Sequence, residues 1–126
     1  MLWSGIEVDL LGTILSLLFA HLIGDFLLQS RWMAEGKSSS HKKLFVHAFV
    51  YSFILMAFAV TLATSWQAAI VFVTFNGIMH MATDFITSRA SKKSFEEGDT
   101  HSGFLVIGLD QTFHYLTLFL TIPLLG

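Results

Sequence analysis

The stretch LLGTILSLLFAHLIGDFLLQS, residues 10–30, carries two titratable side chains, His21 and Asp25, inside an otherwise apolar run. A run of about 20 such residues is long enough to cross a ~30 Å hydrocarbon core as a helix. Residues four apart share a helix face, so His21 and Asp25 point at one place. Ionisable groups inside apolar helices are costly and mark function by default. The pattern recurs along the chain. Residues 44–64 are apolar except for His47, with Tyr51 one turn later, and small hydroxyls. Residues 66–88 carry Asn76, His80 and Asp84, and residues 103–125 carry Asp110, Gln111 and His114. These runs predict an all-α, integral membrane four-helix bundle with a buried His/Asp cluster.

Composition agrees. The 126 residues are 54% hydrophobic and only 13% charged, and mean hydropathy is +0.68. The absence of Cys excludes a disulfide scaffold or a thiolate metal site. The runs are too long for barrel strands and do not alternate. The first run has no basic region before it and no small-residue cleavage site, so it reads as a span rather than a signal peptide. Helices in lipid need no hydrophilic exterior, so the short chain is no obstacle to a fold. No linker marks a second domain, and 1–126 reads as a single transmembrane domain with spans at about 10–30, 44–64, 66–88 and 103–125.

All seven Lys and Arg residues fall in two connections: Arg31, Lys37, Lys42 and Lys43 in the first, Arg89, Lys92 and Lys93 in the third. Basic residues in short loops mark the cytoplasmic side. The expected placement is therefore a multi-pass protein of the bacterial inner membrane with both termini outside. The connection from Arg31 to Lys43 reads as flexible, that from Arg89 to Ser102 as a charged loop, and that around Ala63-Thr64-Ser65 as a tight antiparallel turn. At 1.5 Å per residue, His21, Asp25, His47, His80, Asp84, Asp110 and His114 all fall roughly 5–18 Å in from the cytoplasmic helix ends.

Imidazole and carboxylate are ligands for Zn²⁺, Mn²⁺ and Fe²⁺. Those four His and three Asp exceed one tetrahedral site. They suit one catalytic metal with supporting groups, or two metals sharing a bridging carboxylate. A buried cation would also offset carboxylates that are costly in this setting. The expected cofactor is a divalent metal, Zn²⁺ first, with Mn²⁺ or Fe²⁺ open. Asn76 and Thr117 extend the polar stripes, and Gly24 and Gly77 allow close helix approach beside them. A faint internal repeat relates His21-Leu-Ile-Gly-Asp25-Phe26 to His80-Met-Ala-Thr-Asp84-Phe85. His41 and His101 read as solvated loop residues. Trp3, Trp32 and Trp66 fit an interfacial belt.

The segment Ala20-His-Leu-Ile-Gly-Asp-Phe-Leu-Leu-Gln-Ser-Arg-Trp-Met-Ala34, followed by Lys37, His47 with Tyr51, His80-x-x-x-Asp84 and Asp110-Gln111-x-x-His114, resembles the bacterial and phage membrane family called domain of unknown function 3307. The resemblance implies a small polytopic inner-membrane protein and no particular activity. A fainter similarity is to membrane-bound metal-dependent hydrolases, through Thr100-His101-Ser102, and it would promote His101 to the site. The preferred reading is hydrolysis of a lipid-linked or amphipathic substrate by a metal-activated water. Non-enzymatic metal or proton binding or translocation stays open, as does a small membrane partner protein with a structural polar core. The expected partners are membrane lipids, with a homo-oligomer or a small membrane protein also open and no nucleic acid.

Overall fold

The computed structural model describes residues 5–126, with side chains from Asp9 onward. Trp3 lies outside the described residues. The chain is all-α: α1 (Gly5–Leu22) runs into a π-helical turn (Ile23–Leu27), then α2 (Arg31–Gly36), α3 (His41–Leu62), α4 (Trp66–Glu96), α5 (Thr100–Leu120) and a closing 3₁₀ turn (Ile122–Leu125). Four segments are long and apolar enough to cross a membrane: Asp9–Leu27, His41–Leu62, Trp66–Glu96 and Thr100–Leu120.

Side-chain caps set where most of these helices begin. Ser30, Ser40 and Ser65 accept from the backbone amides of Met33, Lys43 and Ala68, and Asp99 accepts from that of Ser102. Each satisfies a backbone N–H that has no partner within its own helix. A Ser or Asp thus caps the entry of α2, α3, α4 and α5.

Two connections differ from the sequence expectation. The first contains α2, which packs against α3. The third is short, because α4 continues to Glu96. Lys92–Glu96 and Lys93–Glu97 form i,i+4 pairs at 3.9 Å along this extension. Reading a span from its first charge locates the membrane boundary, not the helix end. At 1.5 Å per residue the 31-residue α4 is about 46 Å long, more than a ~30 Å core requires. Gly98, at φ 79°, makes the turn into α5.

In the bundle, α4 packs on both α3 and α5, and α1 packs on α3. Among the described residues the contact of α1 with α5 is slight. The apolar core gathers Leu17, Tyr51, Leu55, Phe72 and Leu118, with Ala20, Ala59 and Ala69 permitting close helix approach. The chain end is tied back where the Thr64 amide donates to the Leu125 carbonyl at 2.9 Å. Large apolar side chains such as Phe53, Trp66 and Leu120 point outward. A soluble monomer rarely exposes so much contiguous apolar surface. Trp32 and Trp66 are exposed near opposite ends of the bundle.

Candidate metal centre

Four helical segments deliver His21, Asp25, His47, His80, Asp84, Asp110 and His114 to one buried cluster, each no more than 6% exposed. The π-turn at the end of α1 carries Asp25, its extra residue marked by the Leu28 amide donating to the Ile23 carbonyl at 2.9 Å. Such turns recur at functional sites because they re-aim a side chain. Gly24 lies where a Cβ would come within 3.0 Å of the Tyr51 ring and 3.3 Å of its Cα, so glycine lets the turn seat against α3. Gly77 does the same on α4, where a Cβ would meet Ser52.

At the centre, His47 Nε2 lies 3.0 Å from Asp25 Oδ1, 3.1 Å from Asp84 Oδ2 and 3.1 Å from His80 Nε2. His80 Nε2 in turn lies 3.4 Å from both Asp25 Oδ1 and Asp84 Oδ2. A tetrahedral Zn²⁺ site, with bonds of about 2.0–2.1 Å, has ligand–ligand edges of about 3.3 Å. Five of the six edges among the two imidazole nitrogens and two carboxylate oxygens stand at 3.0–3.4 Å, close to that spacing. Each imidazole nitrogen brings at most one proton. Two such protons cannot satisfy all these close approaches between acceptor atoms, whereas one cation would.

The opposite oxygens of the same carboxylates face a second set. Asp84 Oδ1 is 3.2 Å from His114 Nε2, which is 3.1 Å from Asp110 Oδ2. Asp25 Oδ2 accepts from Gln111 Nε2 at 3.1 Å and lies 3.4 Å from His21 Nε2. Ligand atoms of Asp25, His47, His80 and Asp84 come within 4.8 Å of one another, as do those of Asp25, Asp110 and His114. Asp25, common to both sets, could therefore bridge two cations, one at each oxygen. His21 is set by its neighbours: Nδ1 pairs with the Tyr51 hydroxyl at 3.2 Å and Nε2 with Gln111 Oε1 at 2.7 Å. The Nδ1 atoms of His47 and His80 are buried without a hydrogen-bond partner among the described residues.

Three further groups belong to the cluster. Lys37 Nζ donates to Asp84 Oδ2 at 3.1 Å. Gln111 also donates to Asp110, at 3.0 Å, tying three acidic and basic groups together. The Thr87 hydroxyl donates to Asp110 Oδ1. The motif quoted from the sequence contains Lys37 and Gln111, but their charge or amide type alone assigns them no partner. Thr87 sits one turn past Asp84's neighbours on α4 and looks like an ordinary helix hydroxyl.

Other expected polar positions lie elsewhere. Asn76 Nδ2 donates to Thr121 Oγ1 at 2.9 Å and to the Phe72 carbonyl at 3.0 Å, apart from the carboxylates. Thr117 donates to its own helix at the Phe113 carbonyl, and the buried stripe of α5 continues through Leu118 instead. His41 and His101 are the first residues of α3 and the first turn of α5 rather than loop residues, both exposed and both outside the cluster. His41 stacks on Phe85 at 5.9 Å.

A cavity of about 670 Å³ opens onto the cluster at the end of the bundle that carries the Lys and Arg residues. Asp25, Asp110 and Gln111 form its floor, with Lys37, Ser88 and Phe26 among its walls. Its mouth is bounded by α2 and by the extension of α4, the two pieces of helix that hydropathy alone reads as connections.

A family model described as "Protein of unknown function (DUF3307)" matches residues 13–125, and the chain belongs to that family. No curated protein and no solved structure matches. None of the comparisons shows a likeness to the membrane-bound metal-dependent hydrolases.

Proposed function

We propose, for this member of a family without an assigned activity, an intramembrane metalloenzyme that hydrolyses a lipid-linked or amphipathic ester. In this reading residues 1–126 form a single transmembrane domain of the bacterial inner membrane, with lipids as partners and both termini outside. The end bearing the Lys and Arg residues faces the cytoplasm. His21, Asp25, His47, His80, Asp84, Asp110 and His114 hold divalent metal, Zn²⁺ first and Mn²⁺ or Fe²⁺ as alternatives, since nitrogen and oxygen ligands admit all three.

The observation that carries this reading is the crowding of His47 Nε2, His80 Nε2, Asp25 Oδ1 and Asp84 Oδ2, five of whose six separations are 3.0–3.4 Å, near tetrahedral edge lengths. The adjoining cavity gives a substrate access to them. A metal there would lower the pKa of a bound water and polarise the ester. The water oxygen bonds to the ester centre, the bond from that centre to the leaving oxygen breaks, and a water proton ends on the leaving alcohol. Translocation is the weaker reading. Beyond the cluster, toward the α3–α4 turn, the interior is filled by Leu17, Leu55, Phe72 and Leu118. Broken only by the Asn76–Thr121 pair, such a plug offers an ion no continuous polar path.

One observation favours the structural rival: Lys37 gives Asp84 a countercharge without any metal. Elemental analysis decides between them. Protein purified without chelator should carry stoichiometric transition metal, and His80→Ala should lose most of it. A wild-type protein free of metal, and unable to take it up, would overturn the proposal.

A further inference from the structure

The cavity beside the cluster has a chemistry of its own. Lys37, only 16% exposed, lies between it and Asp84. Thr87, Ser88 and Ser91 line one wall from successive turns of α4. The Ser88 hydroxyl and Gln29 Oε1 are buried with no hydrogen-bond partner among the described residues. Buried polar atoms are normally satisfied, so an unpaired donor and acceptor in one cavity fit a polar ligand. The rim carboxylates Glu35 and Glu96 are already matched, by Arg31 at 3.8 Å and Lys92 at 3.9 Å.

Charge then selects the ligand. If the cluster holds two divalent cations, these and Lys37 would exceed the three carboxylates Asp25, Asp84 and Asp110 by two positive charges. An uncompensated charge of that size in a low-dielectric site is costly, and an anion relieves it. The cavity also has an apolar side. Phe26 on the π-turn, Ile107 on α5 and Phe95 on α4 line it, and each is exposed. Phe26 and Ile107 stand where α1 passes into the π-turn and on α5, whose mutual contact is slight. A largely apolar cavity whose polar groups gather beside the cluster suits an amphiphile with its head at that end and its tail away from it.

We propose, resting on the metal-centre reading above, that this cavity is the headgroup chamber for a phosphate ester of a membrane lipid. Lys37 is its phosphate-binding cation, and the tail leaves between Phe26 and Ile107. When metal occupies the cluster, Asp84 has its charge matched there, and the Lys37 ammonium turns to the phosphate oxygens. Ser88 donates to the same group. Gln29 accepts from a headgroup hydroxyl.

The test loads the purified full chain with Mn²⁺ in a phosphorus-free maltoside detergent and reads the ³¹P line width of two probes, short-chain phosphatidic acid and inorganic phosphate. Bound Mn²⁺ broadens a phosphorus signal held beside it. Metal content is measured for every variant. The expected result is strong broadening of phosphatidic acid and little of inorganic phosphate. Lys37→Gln should keep its metal and bind the lipid at least about tenfold more weakly, the loss of one charge-assisted hydrogen bond. Lys37→Arg, which keeps the charge, should retain most of the effect. Ile107→Trp, where the tail leaves, should reduce broadening of the lipid and leave that of inorganic phosphate unchanged. Bound Mn²⁺ with neither probe broadened overturns this inference and leaves the metal centre standing. Equal broadening of both probes overturns the lipid assignment, and an unaffected Ile107→Trp overturns passage of the tail between Phe26 and Ile107. A chain that takes up no Mn²⁺ fails the metal-centre reading itself.

Discussion

Asp84 concentrates the chemistry of the cluster in one side chain. Its Oδ2 faces His47, His80 and Lys37, and its Oδ1 faces His114. Lys37 and a divalent cation are alternative sources of positive charge for the same oxygen. Two substitutions should therefore move stability in opposite senses, read as the thermal midpoint with and without added Zn²⁺. Ligand binding to the folded state stabilises it in proportion to the logarithm of ligand concentration over Kd. Asp84→Asn keeps the shape but removes the anion, so metal affinity should fall by at least about 10–100-fold and the Zn²⁺-induced shift should shrink. Lys37→Met leaves Asp84 without its cation, so the metal-free protein should melt lower and the Zn²⁺-induced shift should grow. Equal Zn²⁺ shifts in wild type and both variants would mean that Asp84 is not a ligand. The seven titratable members of the cluster were legible in sequence because ionisable residues stand out against apolar helices. Lys37 was not, since a lysine in a charged connection has a sufficient explanation in topology. Thr87 and Gln111 were hidden for a related reason: a neutral polar side chain in a helix reveals nothing of its partner until the neighbouring helix is placed.

At the scale of elements, hydropathy located four apolar segments but misjudged where helices stop. A charge ends the apolar window, yet backbone hydrogen bonding continues wherever water and i,i+4 pairs permit, as in the stretch of α4 past Ser88. The π-turn left no trace in the His21-to-Asp25 spacing, because one inserted residue in a turn looks like an ordinary helix in sequence. Gly24 was the visible sign of close packing, and it does meet Tyr51. The cap of α5 can be tested directly. Hydrogen bonds from Ser102, its side chain first and its backbone amide second, hold the exposed Asp99 carboxyl below its ordinary value. A carboxyl lowered in the folded state contributes stability that is present above its unfolded pKa and is lost as pH falls through the folded one. The start of α5 should therefore fray as pH falls below the ordinary Asp range, about 4. Carbonyl ¹³C shifts of Thr100 to Gly103 should move toward coil values, and Asp99→Asn, which caps without titrating, should flatten the change. A wild-type profile as flat as that of Asp99→Asn would remove Asp99 from this role.

For the whole molecule, the division of the interior is what links fold to site. Apolar packing fills the half toward the α3–α4 turn, and the His/Asp cluster with its cavity fills the half beneath α2 and the end of α4. The basic residues collect at that second end: Arg31 and Lys37 around α2, Lys42 and Lys43 at the start of α3, and Arg89, Lys92 and Lys93 in the last turns of α4. Matched depth in four antiparallel helices was readable from sequence, because the rise per residue converts position into height. The cavity was not, because it is enclosed by two helical pieces that hydropathy assigns to loops. Placing the basic end in the cytoplasm predicts where the cavity opens, and this can be measured. Fusions of alkaline phosphatase, active only outside, and of a green fluorescent protein, fluorescent only inside, are made after Lys37, Ser65, Gly98 and Gly126. Lys37 and Gly98 should report inside, and Ser65 and Gly126 outside. The basic residues govern this outcome, so replacing Lys42, Lys43, Lys92 and Lys93 together with Gln should weaken the bias and yield a mixed population. A phosphatase signal at Lys37 with fluorescence at Ser65 would invert the molecule. The cavity would then draw its substrate from the outer leaflet, and the cytoplasmic assignment would fall while the geometry of the cluster stayed the same.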